Sequence, residues 1–427
     1  FKWMTSAKNV RVSRRRLIFT GTAATVAAHL SLPCAYAADS LPADPVPPRR
    51  VTINPKANDQ LLYFTSTSLL EDDRRLVFIS DRTGNPNLFM LDTVGGHEAQ
   101  LTTNAEGYLK SYVYFDGRPY RGLGKASISL DPRNGLVYFI QGRQICVADM
   151  DGKQRVLAEY PADQMTAFTH VSADGKRLCV PTTDARALDG DAQLRGQPAY
   201  DIDQRVREEK LSSYLRIYDT DSGKQLLAEP FPGGWITHVQ FSPTNSDVVL
   251  FNNEWPSDCG IRRIWLWDGK KHLQLRREGN GRSRVDWTCH EVWERDGSAI
   301  VYHGTYAKGP AYIGRMNPDG SDPVEIALPA GWKRYGHFTN GRSGMLVTDG
   351  YWQRDDDPPK PGQGHWIVRL DVDWKAKKID WRPLCRHGSS WRSQDEHPHP
   401  IYNHAADAIY FTSDRDGKRA VYRVAAA

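Results

Sequence analysis

The sequence is poor in cysteine and has no pair of cysteines in C-x-x-C spacing. Cys34 lies in an N-terminal leader-like stretch. Cys146, Cys179, Cys259, Cys289 and Cys385 are scattered singly beyond it, an odd number. That excludes a disulfide framework and a zinc ribbon, which need paired thiols, and single cysteines read as small buried apolar residues. No G-x-S-x-G elbow is present; Gly341-Arg342-Ser343-Gly344-Met345 breaks the pattern, which argues against a peptidase with an attached hydrolase domain. The apolar run near the N-terminus is short and carries Thr, Gly and His29, so it does not read as a permanent membrane span. An excess of one charge is also missing. Residues 1–37 hold six Lys/Arg and no acid, and the rest of the chain has 50 basic against 51 acidic residues. Without a basic footprint a nucleic-acid partner loses its main support.

What is present starts with an export signal. Ser13-Arg14-Arg15-Arg16-Leu17-Ile18-Phe19 is followed by the apolar run and by Ala35-Tyr36-Ala37, a small-residue cleavage site. The twin arginine points to the bacterial route for folded proteins and hence to a periplasmic location. The expected organisation is a signal at 1–37, an extended lead-in at 38–60 and one large domain at 61–427. The mean hydropathy of −0.59 suits a soluble mature chain, and 13 Trp and 19 Tyr suit strands and sugar-facing surfaces.

The domain is built from a repeat. A polar turn followed by an apolar strand recurs at 71–84 (EDDRRLVFISDRTG), 129–142, 172–183, 242–253, 294–304, 339–350 and 403–417, seven copies about 43 to 70 residues apart. Most copies lead into a second strand–turn–strand element, such as QICVADMDGKQRVL or LRIYDTDSGKQLL. Alternating apolar residues with Asp-Gly turns give hairpins, and two hairpins per copy give a four-stranded antiparallel blade. The fold class is therefore all-β, a seven-bladed β-propeller, closed by a strand from 61–66 beside the last blade. Two stretches, 184–212 and 352–364, exceed the repeat and are expected as loops on the binding face, the first with a helical end at Asp203 to Leu211.

Histidines follow the repeat. His238, His290 and His399 each precede the start of their copy by four residues, and His170, His337 and His397 fall at even offsets from the same place. Even spacing puts strand side chains on one face. The segment should be the first strand of each blade, with imidazoles converging at one mouth of the central channel. His397-Pro398-His399 can place two imidazoles on one ion, Gln394 lies three residues upstream with a carbonyl oxygen, and His290 can complete the set. Mixed N and O donors suit a borderline divalent ion such as Mn²⁺ or Zn²⁺, with a position left open for substrate.

LCRHGSSW (384–391), SQDEHPHP (393–400) and YFTSDRDGKRAVYRV (410–424) together resemble the C-terminal signature of the oligogalacturonate lyase family. THVQFSP (237–243), FNNEWP (251–256), RIWLW (263–267) and CHEVW (289–293) match further family segments in order. The likeness is close in the last 200 residues and loose in the first half. It implies a propeller that binds Mn²⁺ through His290, Gln394, His397 and His399, with His238 as catalytic base and Arg216 as a candidate partner for the substrate carboxylate. Arg263 and His337 are the candidate substrate contacts. The implied reaction is β-elimination of oligogalacturonate, or of a related uronate-containing oligosaccharide, in pectin breakdown. A neutral His238 with its pKa near the operating pH would take the C5 proton, so acid should silence it. The segment Asn253-Glu254-Trp255-Pro256 departs from the family's His-Glu-Gly-Pro. The rival class is a non-catalytic periplasmic propeller that binds a protein or carbohydrate, since FISDRTGNPNLFMLD (78–92) resembles scaffold-propeller repeats. Such a protein would not need the three histidines and Gln394 together.

Overall fold

A computed structural model of the chain describes residues 44–108, 122–188, 202–254, 263–276, 286–329, 336–357 and 364–427. The export signal, Cys34 and Cys259 lie outside the described residues. Seven antiparallel sheets are formed in sequence order, each with four strands, except that the inner strand of blade 3 is split into two pieces. The fold is the seven-bladed propeller that the repeat implies.

The strands are apolar on both faces because each blade is stacked between two neighbours. Arg75–Ser80 in blade 1 shows how the two-residue period is used. Val77 and Ile79 pack with Val137 and Phe139 of blade 2, while Leu76 and Phe78 pack with Tyr410 and Val421 of blade 7. One strand thus supplies two inter-blade cores, and a one-residue slip would exchange them. Outermost strands have a neighbour on one edge only and read as polar: Gln154–Glu159 is exposed at four of its six residues, and Lys378–Arg386 begins by alternating exposed and partly covered residues. The turn after Ser212–Asp219 needs glycine. Gly223 has φ +72°, and a Cβ there would meet the Leu157 carbonyl of blade 2.

Ring closure differs from the sequence reading. Arg49–Arg50, inside the expected lead-in, pairs with Arg423 and Tyr422 as the outer strand of blade 7. The inner strand Asp59–Leu61 then opens blade 1, and residues 62–66 continue past it toward the axis. The chain leaves the ring before entering it, so the two ends are laced by backbone hydrogen bonds that no local pattern announces.

Both insertions join the second and third strands of a blade. One connects Arg177–Asp184 to Ser212–Asp219 in blade 3, and the other connects Met345–Thr348 to Trp366–Asp373 in blade 6. In an antiparallel blade this end is also where the first strand begins, which is the end that carries the histidines. The first insertion contains the helix Ile202–Glu208, which overlaps the helical stretch read from sequence and begins one residue earlier. Ile202, Val206 and Leu211 cover Met165 and Trp235. Residues 189–201 and 358–363 lie outside the described residues. Cys146, Cys179, Cys289 and Cys385 are buried, as isolated cysteines should be.

Candidate metal centre and active site

Four blades each present an imidazole at the start of the inner strand. His238 belongs to Ile236–Phe241 in blade 4 and His290 to Trp287–Trp293 in blade 5. His337 immediately precedes Phe338–Asn340 in blade 6, and His399 lies just before Ile401–Tyr402 in blade 7. The strands are not regular here. Register shifts fall between Ile236 and Val239 and between Cys289 and Val292. His290 and His399 have φ of 51° and 46°. Bulges re-aim a side chain out of the sheet alternation, and left-handed non-glycine residues cluster at functional sites. The even spacing located the right segment, but the convergence comes from the irregularities.

His337, His397 and His399 have ring nitrogens within 4.8 Å of one another, and all three are buried. The His337 ring centroid lies 4.0 Å from that of His399, 5.0 Å from that of His397 and 4.6 Å from that of His290. His290 therefore adjoins the trio through His337, and it also belongs to a second group with Cys289 and His303. The trio gathers the HxH pair with His337, which the sequence reading assigned to substrate, while His290 stands one ring further round the arc. Gln394 sits on the short 3₁₀ turn Gln394–Glu396, held by a reciprocal cap between Ser393 and Glu396, and its Oε1 is buried.

Hydrogen bonds fix which nitrogen each ring offers. Asp349 Oδ2 accepts from His337 Nδ1 (3.0 Å), and Asp349 also accepts from the backbone N–H of His337 (2.7 Å) and of His399 (3.2 Å). A neutral His337 therefore keeps its lone pair on Nε2, the arrangement of a carboxylate-oriented metal ligand. His290 Nδ1 donates to the Gly336 carbonyl (2.8 Å) and shares that hydrogen with His303 Nε2 (2.8 Å). A carbonyl only accepts, so His290 too has its lone pair on Nε2. His303 Nδ1 is in turn hydrogen bonded to Tyr351 Oη. Among the described residues the buried Nε2 of His399 makes no hydrogen bond, and its Nδ1 lies 3.0 Å from Lys125 Nζ. With Lys125 as the neutral amine, which burial favours by lowering its pKa to about 7, Nδ1–H donates to it and Nε2 keeps the lone pair. A buried acceptor left unsatisfied costs about 1–3 kcal/mol, and an ion would satisfy it. The donor set fits a divalent metal. Burial, reinforced by neighbouring charge, holds His290, His397 and His399 well below the usual histidine range, so all three stay in the ligating, neutral form.

His238 stands apart from the trio and is 7% exposed. Arg263 Nη2 donates to its Nδ1 (3.2 Å). A guanidinium only donates, so Nδ1 is the bare nitrogen and Nε2–H donates to Tyr63 Oη (3.1 Å). Burial and then Arg263 depress its pKa to about 3. The sequence reading placed this pKa near neutrality; burial removes the water that would stabilise the imidazolium. Arg263 is itself clamped, with Nη1 on Glu254 (3.0 Å) and Nε on Glu291 (3.1 Å). Burial pushes both carboxyls up. The opposing Arg263 charge wins at Glu254, which ends below its usual value, and loses at Glu291, which ends above it.

Arg216 is placed elsewhere. It lies within blade 3, donating to Thr182 Oγ1 and Gln225 Oε1 (both 2.9 Å) and stacking over Tyr214, with no hydrogen bond to any of the histidines. The guanidinium at the base candidate is Arg263. His170 is also outside the cluster: its Nδ1 accepts from the Phe241 backbone N–H (3.2 Å).

Sequence reasoning missed the groups on blades 1–3. Tyr63 and Phe64 follow the blade 1 inner strand, and Phe64 lies within 6.0 Å, centroid to centroid, of the rings of His238, His290, His337 and His399. Lys125 and Phe168 come from blades 2 and 3. The signal existed. Lys125 precedes the copy at Ser129 by four residues, and Phe168 precedes the copy at Ser172 by four, the same offset as His238, His290 and His399. Reading that position for every residue type, rather than for histidine, would have found both.

Fold and site together define a β-propeller whose axial mouth gathers imidazoles fit to hold a divalent ion. Residues 219–427 match the family model described as oligogalacturonate lyase, the family that the motifs in this part of the chain resemble. The chain is 26% identical over 210 residues to an oligogalacturonide lyase of Pectobacterium atrosepticum and 25% identical over 211 residues to an oligogalacturonate lyase of Dickeya dadantii. Each match covers 44% of this chain and 49% of the relative, so the chain spans about half the length of the curated relatives it matches. A solved oligogalacturonate lyase in complex with manganese superposes with a TM-score of 0.69 at 22% identity, covering 88% of this chain and 92% of its own. The enzyme from Vibrio parahaemolyticus gives 0.70 at 20%, covering 90% and 95%. At these identities the likeness is one of fold, and it extends over both halves of the propeller.

Proposed function

We propose that the protein is a manganese-dependent lyase that cleaves oligogalacturonate, or a closely related uronate oligosaccharide, by β-elimination. The observation that carries the reading is the convergence of His337, His397 and His399, each buried, on one point beside a further neutral histidine, His238, in a chain whose C-terminal half matches the lyase family. We assign the ion to that trio, with His290 adjoining through His337 and with Gln394, three residues before His397 and with a buried Oε1, as a further candidate donor. When bound, the ion supplies a Lewis acid for the uronate carboxylate, acidifying C5 and stabilising the enolate-like charge that develops.

The chain's own residues do the rest. His238 takes the C5 proton, the C–H electrons form the C4=C5 double bond, and the C4–O bond breaks with its electrons leaving on oxygen. His238 can accept only at Nδ1, where Arg263 now donates, so Arg263 must pass that hydrogen bond to the substrate before transfer. The low pKa keeps His238 unprotonated at every working pH, so acid silencing is expected near pH 3 and not near 6. Tyr63 receives Nε2–H and holds the ring. Phe64 and Phe168 pack on the imidazoles and exclude water, which strengthens the electrostatics inside. The twin-arginine stretch supports action in the periplasm.

The test is direct. Protein with Mn²⁺ and oligogalacturonate should generate ultraviolet absorbance from the conjugated double bond. His238→Ala should lower turnover about 10²- to 10⁴-fold, the usual worth of a general base, with manganese affinity retained. A full rate in that variant would end the base assignment, and no absorbance from any uronate oligosaccharide would end the lyase reading.

A further inference from the structure

Lys125 is fully buried, on the 3₁₀ turn Lys125–Ser127 that leads into the blade 2 inner strand. The turn is tied down by Ser127 Oγ donating to the Gly124 carbonyl (2.9 Å) and by the Thr169 N–H donating to the Ala126 carbonyl (3.4 Å). Its Nζ lies 3.0 Å from His399 Nδ1, and among the described residues no carboxylate stands within ion-pairing distance. Lysine is almost never wholly buried unless paired. Buried arginines nearby follow that rule: Arg263 has Glu254 and Glu291, and Arg276 has Asp286 and Glu325. Lys125 has only an imidazole, and burial lowers its pKa to about 7, with Asp395 and Asp349 acting from a distance against Arg419.

Two features say what is missing. Lys125 holds in blade 2 the repeat position that His238, His290 and His399 hold in theirs, so its ammonium faces the same axial space. A divalent ion on the imidazoles and an ammonium 3.0 Å from His399 Nδ1 are like charges in one buried region. Such a pair is relieved by neutralising Lys125 or, with Lys125 charged, by an anion between or beside them.

We propose that Lys125 reads the substrate's carboxylate: its ammonium pairs with the C6 carboxylate of the uronate seated against the histidines and thereby selects free uronates over their methyl esters. The proposal rests on the lyase reading. It adds a recognition residue from the half of the chain that the family model does not reach.

Calorimetry on the manganese-loaded full chain tests it, with trigalacturonate and its methyl ester as probes. Wild type should prefer the acid. Lys125→Met should bind the acid about 10- to 100-fold more weakly, the worth of one charge-assisted hydrogen bond. The ester should change by no more than about twofold. Lys125→Gln, read the same way, covers a failure of the methionine variant to fold. An unchanged acid-to-ester ratio in the variants overturns the proposal. So does loss of manganese affinity with that ratio intact, which would assign Lys125 to His399 alone. Wild type that binds neither probe removes the lyase reading itself.

Discussion

The two sides of the axial mouth occupy equivalent places in the ring and carry opposite chemistry. Blades 4 to 7 present buried imidazoles, each a potential lone-pair donor. Blades 1 to 3 present Tyr63, Phe64, Lys125 and Phe168, which offer two apolar faces, a hydroxyl and a cation. Propeller symmetry supplies the positions and leaves the residue type free at each. One side is built to hold a cation and the other to wall it in and recognise an anion. The family model covers only the first side, as expected if metal chemistry is shared among relatives while recognition varies.

The largest expected effect concerns acid. His170, His238, His290, His303, His397 and His399, all but the first on blades 4 to 7, are buried with lowered pKa values, about 4 for His170 and about 3 for His238. Above about pH 6.5 these rings are neutral in both the folded and the unfolded chain. Below it the unfolded chain takes up protons that the fold refuses, so stability falls with pH down to the folded pKa of each ring. The slope is about 1.4 kcal/mol per pH unit for each such histidine. Metal-free protein should lose several kcal/mol between pH 6.5 and 5 in denaturant titrations. Converting His290 and His303 to Gln should flatten the slope. A pH-independent midpoint over that interval would mean that the imidazole side is hydrated and not closed.

A smaller effect should separate the trio from its supports. Asp349 orients His337 and ties the His399 backbone to it. Asp349→Asn keeps the shape but can present an amide N–H to His337 Nδ1, which favours the wrong tautomer. Loss of such a partner typically weakens metal binding 10- to 100-fold. Manganese titration of the purified variant should show that loss with the propeller intact by circular dichroism. Unchanged affinity would move the ion off His337 and toward the alternative set centred on His290.

How much of this was legible in the sequence follows from where the information sits. The blades were legible because the two-residue alternation and the Asp-Gly turns are local, as in Arg75–Ser80. Ring closure through Arg49–Arg50 was not, since two residues of extended chain carry no pattern and their partners lie more than 370 positions away. His238, His397 and His399 were legible because a repeat offset marks them. His337, offset by two, was read as a substrate contact, and its closeness to His290, His397 and His399 went unread because those neighbours come from blades 5 and 7. Lys125 and Phe168 held the same offset and went unread because their residue types did not suggest a ligand. Arg263, placed near the substrate from its segment, turned out to touch the base candidate, a contact that depends on the register of blade 4 against blade 5.

The smallest expected effect concerns Arg216, and it sharpens the line between site and scaffold. From sequence Arg216 and Arg263 were both candidates for the carboxylate. In the fold, Arg216 bonds only within blade 3, to Thr182 and Gln225 on the two flanking strands, over the ring of Tyr214. Arg216→Ala removes two hydrogen bonds and a cation–π contact, so a stability loss of about 1–3 kcal/mol is expected. Turnover below the melting range should stay within about twofold, because no bond from Arg216 reaches His238 or the trio. Arg263→Ala differs in kind, since it strips His238 of its partner and leaves Glu254 and Glu291 facing each other without a cation. Paired thermal melts and rates for the two variants separate the roles. A Arg216 variant that melts normally yet loses rate would return it to the substrate and extend the anion-reading side of the mouth into blade 3.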